Sequence, residues 1–154
     1  MIAADVIAGL ASRHETVATC ESLTGGLVLA ELTTVPGASA VVRGGLVTYA
    51  TDLKTSLAGV PADLIAEHGV VSRPVAEAMA VGARLACGAT WGIGLTGVAG
   101  PDLVDGLAPG TVCIGVAGPD GPVSVQERFA GDRGAVRRQT VARAFDLLSE
   151  ALTR

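Results

Sequence analysis

Aromatic side chains are scarce in this chain: two Phe, one Trp and one Tyr in 154 residues. A core of stacked rings is excluded, so Ala, Val, Leu and Ile must fill it, and 21 glycines allow close packing and tight turns. The three cysteines, Cys20, Cys87 and Cys113, are odd in number and have no metal-ligand spacing. They read as reduced thiols, which suits a cytoplasmic protein. Charged residues make up only 17% of the chain, so much of the surface is small and neutral, and part of it is available to an oligomer. A net charge of −4 argues against a general nucleic-acid binder. No apolar run is long enough to span a membrane, and Met1–Leu10 carries Asp5 without the basic start of a signal peptide. Lysine is the rarest of the common charges. Lys54 stands alone, and the rest of the 11 Lys and Arg residues are arginine.

That single lysine draws attention to Cys20–Lys54. A surface that needs positive charge here uses Arg, and only Lys can lose its proton in a desolvated site. The stretch also holds Ser22, in Glu21-Ser22-Leu23-Thr24-Gly25-Gly26, and Tyr49, the sole tyrosine. Ser with neutral Lys as base is a recurring arrangement for acyl transfer.

The rest of the chain alternates helix and strand. The spacing predicts a helix over Ala3–Ser12, a buried strand over Thr16–Cys20 and a helix from about Thr24 to Thr33, with Gly25 and Gly26 in its first turn. A second strand, Val41–Ala50, puts Gly45, Val47 and Tyr49 on one face. Thr51 or Asp52 caps the short helix that carries Lys54. Helices from Pro61 to His68 and from Pro74 to Cys87 follow, the second capped by Ser72 and striped by Val75, Met79, Gly82 and Leu85. A third strand, Thr90–Leu95, leads into the Gly-rich loop Thr96–Pro101, placed where open α/β sheets bind ligands. Asp102–Pro109 reads as an exposed loop. Gly110–Ala117 and Pro122–Phe129 form a hairpin around Gly118–Gly121. Asp132 caps a last helix whose stripe runs through Val141, Phe145, Leu148 and Leu152, with Arg137 on the same side. The whole predicts one domain over residues 1–154, a three-layer α/β/α sandwich with a mixed sheet.

Each candidate has a plainer reading. Ser22 suits a helix N-cap as well as a nucleophile beside the N–H groups of Thr24, Gly25 and Gly26, which can form an oxyanion hole. It lies in neither G-x-S-x-G nor S-x-x-K. Tyr49 suits a half-buried strand position, and Lys54 a solvated helix face. Arg133 and Arg137, one turn apart at a helix start, suit either phosphate binding or a solvated basic face. His14 and His68 read as surface residues. Asp102 and Asp105 lack a third ligand, and no metal or cofactor motif is present.

Taken together these motifs resemble the CinA C-terminal domain family, whose stand-alone members are nicotinamide-nucleotide amidohydrolases (NMN deamidases). The carrying residues are Glu21–Gly26, Pro36–Ser39, Gly44–Tyr49 with Lys54, Gly69–Ser72, Thr96–Pro101, Pro109–Val112, and Gly131–Arg133 with Arg137. The resemblance implies hydrolysis of nicotinamide mononucleotide to nicotinate mononucleotide and ammonia, with no cofactor. It implies Ser22, Tyr49 and Lys54 as catalytic residues, with Thr24, Gly25, Gly26, Thr96, Gly97, Arg133 and Arg137 around the substrate. It also implies a homodimer with a small molecule, neither nucleic acid nor membrane, as its partner. The chain departs from the family at Leu103–Pro109, where Ala108 stands in place of an expected lysine. That departure motivates one alternative to the amidohydrolase, a nucleotide-binding module without turnover; a serine hydrolase for another small amide, sharing the nucleophile but not the need for phosphate, is a third reading.

Overall fold

A computed structural model describes residues 1–154. Its five strands are β1 (Val17–Glu21), β2 (Val42–Val47), β3 (Trp91–Gly97), β4 (Thr111–Gly118) and β5 (Gly121–Arg128). They form one sheet in the order β2-β1-β3-β4-β5. β1 runs parallel to β2 and β3, and β4 runs antiparallel to β3 and β5. The helices are α1 (Ala3–Ser12), α2 (Leu27–Thr33), α3 (Thr51–Ser56), α4 (Ala62–His68), α5 (Arg73–Cys87) and α6 (Arg133–Leu152). α1, α2 and α6 share the larger core, which contains Leu10, Leu32, Ile93, Ile114, Phe145 and Leu148. α5, with α4 against it, covers the other face over Ala18, Cys20, Met79 and Ala83. The result is the three-layer α/β arrangement with a mixed sheet that the alternation implies. No helix is long and apolar enough to cross a membrane.

Small residues let α5 lie close to the sheet. A Cβ on Gly92 would overlap the Ala80 carbonyl, and one on Gly94 or Gly115 would overlap that of Ala76. This also shifts part of the buried face of α5 from the expected stripe. Val75, Met79 and Gly82 are buried as expected, Ala76, Ala80 and Ala83 join them, and Leu85 is 71% exposed instead. The stripe that meets glycine-bearing strands is the one with the smallest side chains, not the one with the largest. Gly92→Ala is expected to cost about 3 kcal/mol, because backbone rather than a flexible side chain must move. Urea unfolding checks this, and an unchanged midpoint would contradict it.

Caps formed where polar side chains stood ready. Ser72 Oγ accepts from Val75 N–H and Asp132 Oδ1 from Ala135 N–H. Neither Thr51 nor Asp52 caps α3, whose N-cap residue is Ala50. Three boundaries shift near Ser22. α2 begins at Leu27 rather than Thr24, because Gly25 (φ 59°) and Gly26 (φ 103°) are left-handed and cannot belong to its first turn. β2 stops at Val47, opposite Glu21, where its only neighbour β1 ends. Tyr49 therefore lies in the connection to α3, 61% exposed, on the same outward side as Gly45 and Val47. β3 runs on to Gly97, so Thr96 and Gly97 close a strand rather than open a loop.

Candidate active site

Strand β1, between β2 and β3, ends in a buried carboxylate. Glu21 is fully buried and accepts from the N–H groups of Val28 (2.9 Å) and Leu29 (3.0 Å) and from Thr19 Oγ1 (3.1 Å). It satisfies N–H groups at the start of α2 and places negative charge at that helix's positive end. Its own carbonyl accepts from Thr48 N–H (2.9 Å), and the next N–H, that of Ser22, donates to the Leu95 carbonyl (3.0 Å). Ser22 is thus fixed by both neighbouring strands, and its hydroxyl is free of capping duty. Glu21→Gln should keep the shape but lose one charge-assisted bond, lowering stability by about 2 kcal/mol. A denaturant midpoint equal to the parent's would refute that role.

Lys54 reaches this point from α3. It is 1% exposed, and its Nζ donates to Ser22 Oγ (3.1 Å) and to the Thr48 carbonyl (2.7 Å). No carboxylate pairs with it. Burial pushes its pKa below the ordinary 10.5. A desolvated amine without a counter-ion, on a serine hydroxyl, is poised to accept a proton. Cys20 lies on the same strand, but its thiol bonds Thr48 Oγ1 and burial raises its pKa, so it is no competing thiolate.

Ser22 and Lys54 open into a cavity of about 300 Å³. Tyr49, Thr96, Gly97 and Arg133 also line it, together with Leu23, Val70, Val71, Ala99, Gly100 and Asp102. The buried Thr96 donates to the Val70 carbonyl (2.8 Å). Tyr49 sits at the mouth. Its hydroxyl accepts from Arg133 Nη2 (3.0 Å), while Arg133 Nη1 donates to the Gly100 carbonyl (2.7 Å). No hydrogen bond joins Tyr49 to Ser22 or Lys54, and the Lys–Ser contact is direct.

Four expected site residues lie outside the cavity lining: Thr24, Gly25, Gly26 and Arg137. Gly25 N–H is spent on the Ser22 carbonyl (3.0 Å), so it is not a free oxyanion donor. Several lining residues outside the strands keep N–H groups without a partner in the chain, among them Leu23, Ala99 and Gly100 close after the ends of β1 and β3. Arg137 donates to the carbonyls of Leu23 (3.0 Å) and Thr24 (3.1 Å) and borders a separate groove with Leu27, Val141 and Phe145. Sequence reasoning passed over Glu21 and the Thr48 carbonyl. Glu21 had a signal, an acid ending an otherwise uncharged β-branched run. A backbone carbonyl has none.

The match to the family model described as "CinA C-terminal domain" covers residues 1–152. A CinA-like protein of Anaeromyxobacter dehalogenans is 53% identical over 148 residues, 96% of this chain and 36% of that protein. The chain therefore spans about a third of the length of such curated relatives. Among solved structures, the competence/damage inducible protein CihA from Agrobacterium tumefaciens superposes with TM-score 0.93 at 34% identity, over 99% of this chain and 93% of that one. A CinA superfamily protein from Klebsiella pneumoniae gives TM-score 0.95 at 31% identity, over 98% and 95%.

Proposed function

We propose that this chain, which belongs to the CinA C-terminal domain family, hydrolyses the carboxamide of nicotinamide mononucleotide to nicotinate mononucleotide and ammonia. The observation that carries this reading is the direct contact between buried Lys54 and Ser22 Oγ (3.1 Å) at the floor of the cavity. Neutral Lys54 takes the proton from Ser22 as Oγ attacks the carboxamide carbon. The oxyanion is held by free N–H groups of the cavity wall, with that of Leu23, next to the nucleophile, and those of Ala99 and Gly100 as the candidates. The ammonium form of Lys54 then protonates the leaving nitrogen, and ammonia departs. Water attacks the resulting ester, again giving a proton to Lys54, which returns it to Ser22. The roles proposed for Thr96 and Gly97 are to line the ring pocket, with the 5′-phosphate toward Arg133 at the mouth. Tyr49 serves the mouth rather than the proton path.

Arg133 distinguishes a nucleotide substrate from a plain amide. Arg133→Ala should raise KM for nicotinamide mononucleotide by about 10- to 100-fold with kcat largely kept, as for a lost charge-assisted contact to phosphate. Steady-state kinetics on the phosphorylated and dephosphorylated substrates check it. Equal KM for the two in the parent enzyme would favour a hydrolase of another small amide.

The loop over residues 102–108 supports a second reading, a nucleotide-binding module. It departs from the family at Ala108 and lends Asp102 and Val104 to the cavity mouth. Nucleotide binding without ammonia release, unchanged in Ser22→Ala, would select that reading. A small-molecule partner and a homodimer belong to the proposal, and sedimentation measures the latter.

A further inference from the structure

Arg137 was expected on the substrate, yet its guanidinium faces the back of the Ser22 turn. Nε donates to the Leu23 carbonyl (3.0 Å) and Nη2 to the Thr24 carbonyl (3.1 Å). Leu23 is 4% exposed and Thr24 fully buried. The Thr24 carbonyl has a second donor in Leu27 N–H, whereas the Leu23 carbonyl has no other partner. Without Arg137 the peptide next to Ser22 would keep a buried, unpaired acceptor, which is costly enough to drive the turn toward water. Past the Ser22 N–H bond to Leu95 and the buried Leu23 side chain, the turn's backbone has few bonds of its own. Gly25 and Gly26 are both left-handed, its internal bonds are Gly25 N–H to Ser22 and Leu27 N–H to Thr24, and Thr24 Oγ1 is buried without a partner. No carboxylate pairs with Arg137, so its charge is directed at these two carbonyls alone. The planar fork suits two successive carbonyls, which a single lysine nitrogen cannot match.

We propose that Arg137 is a positioning residue for the nucleophile turn: its fork on the Leu23 and Thr24 carbonyls sets where Ser22 Oγ stands relative to Lys54 and the cavity. This rests on Ser22 being the nucleophile. It assigns the two arginines of α6 different work. Arg133, one turn earlier, ties the mouth at Tyr49 and Gly100. Arg137 ties the nucleophile from behind. Loss of Arg137 therefore slows chemistry and spares substrate affinity.

The test uses two readouts in the intact protein. One is steady-state ammonia release from nicotinamide mononucleotide. The other is the labelling rate with a small alkyl fluorophosphonate, in which Ser22 Oγ displaces fluoride from phosphorus and its proton passes to Lys54. Arg137→Ala should lower kcat and the labelling rate together by about 10- to 100-fold, with KM within threefold. Arg137→Lys should recover part of both. Parent-like labelling in Arg137→Ala, or a raised KM with kcat kept, would overturn the proposal and return Arg137 to the substrate. If circular dichroism shows that Arg137→Ala does not fold, Arg137→Lys decides. Slower labelling supports the fork, and a parent rate refutes it. A parent enzyme that labels yet releases no ammonia would sink the substrate assignment alone, with the labelling series still judging Arg137. A parent that never labels would sink the nucleophile reading and this proposal with it.

Discussion

Under the proposed reaction, Ser22→Ala is expected to abolish ammonia release, lowering kcat on the order of 10⁵- to 10⁶-fold, the scale set by removing the nucleophile of a serine hydrolase. The loss is this large because the reaction is split in two at Ser22 Oγ, and no neighbouring group can replace it. Cys20 points its thiol at Thr48 and is held protonated by burial. The other buried hydroxyl of the cavity, Thr96 Oγ1, is engaged with the Val70 carbonyl. The substitution leaves the backbone bonds from Ser22 N–H to Leu95 and from Thr48 N–H to Glu21 in place. Thermal unfolding should therefore move little, and substrate binding should persist. Mass spectrometry of the quenched parent enzyme should find a Ser22 adduct equal to substrate less ammonia. A Ser22→Ala protein with parent-like turnover would place the chemistry elsewhere.

Lys54→Arg is expected to lower kcat by about 10³- to 10⁴-fold, the range for a lost general base. Arginine keeps a donor for the Thr48 carbonyl but cannot shed its proton at working pH. The proposed mechanism implies a matching pH signature in the parent protein. Its active form has neutral Lys54, whose pKa burial holds below 10.5, so kcat/KM should climb with pH up to that lowered value and then level off. The stability consequence runs the same way. Because the native pKa is lowered, the unfolded chain binds the extra proton between the two values, so stability rises with pH across that window. Lys54→Met should remove both slopes. A pH-independent kcat/KM in the parent, or an active Lys54→Arg enzyme, would remove Lys54 as the base.

The layers were legible because α/β alternation, glycine stops and side-chain caps are local. Ser72, Asp132, Gly69 and Gly88 each act within one turn of their own position. The face of α5 was legible in part: Val75, Met79 and Gly82 are buried as the stripe implies, but the inward turn of Ala76 and Ala80 depends on Gly92, Gly94 and Gly115 in strands that lie beyond it in sequence. The site was legible in its residue types and less so in its geometry. Ser22, Tyr49, Lys54, Thr96, Gly97 and Arg133 border one cavity, and Lys54 could be singled out because the chain has no other lysine. Thr24–Gly26 looked like helix because the left-handed backbone at Gly25 and Gly26 leaves no trace in the apolar spacing. Arg137 looked like a ligand contact because an arginine on an apolar stripe must find acceptors, and the sequence did not say that two carbonyls of this chain supply them.

Turnover of a pyridine nucleotide amide through Ser22 is the proposed activity of this site. Purified protein incubated with nicotinamide mononucleotide tests it most directly, with ammonia and nicotinate mononucleotide both quantified. The two products are expected in equal amounts, increasing with pH and absent from Ser22→Ala. Saturable binding of the nucleotide with no ammonia at any pH would contradict it.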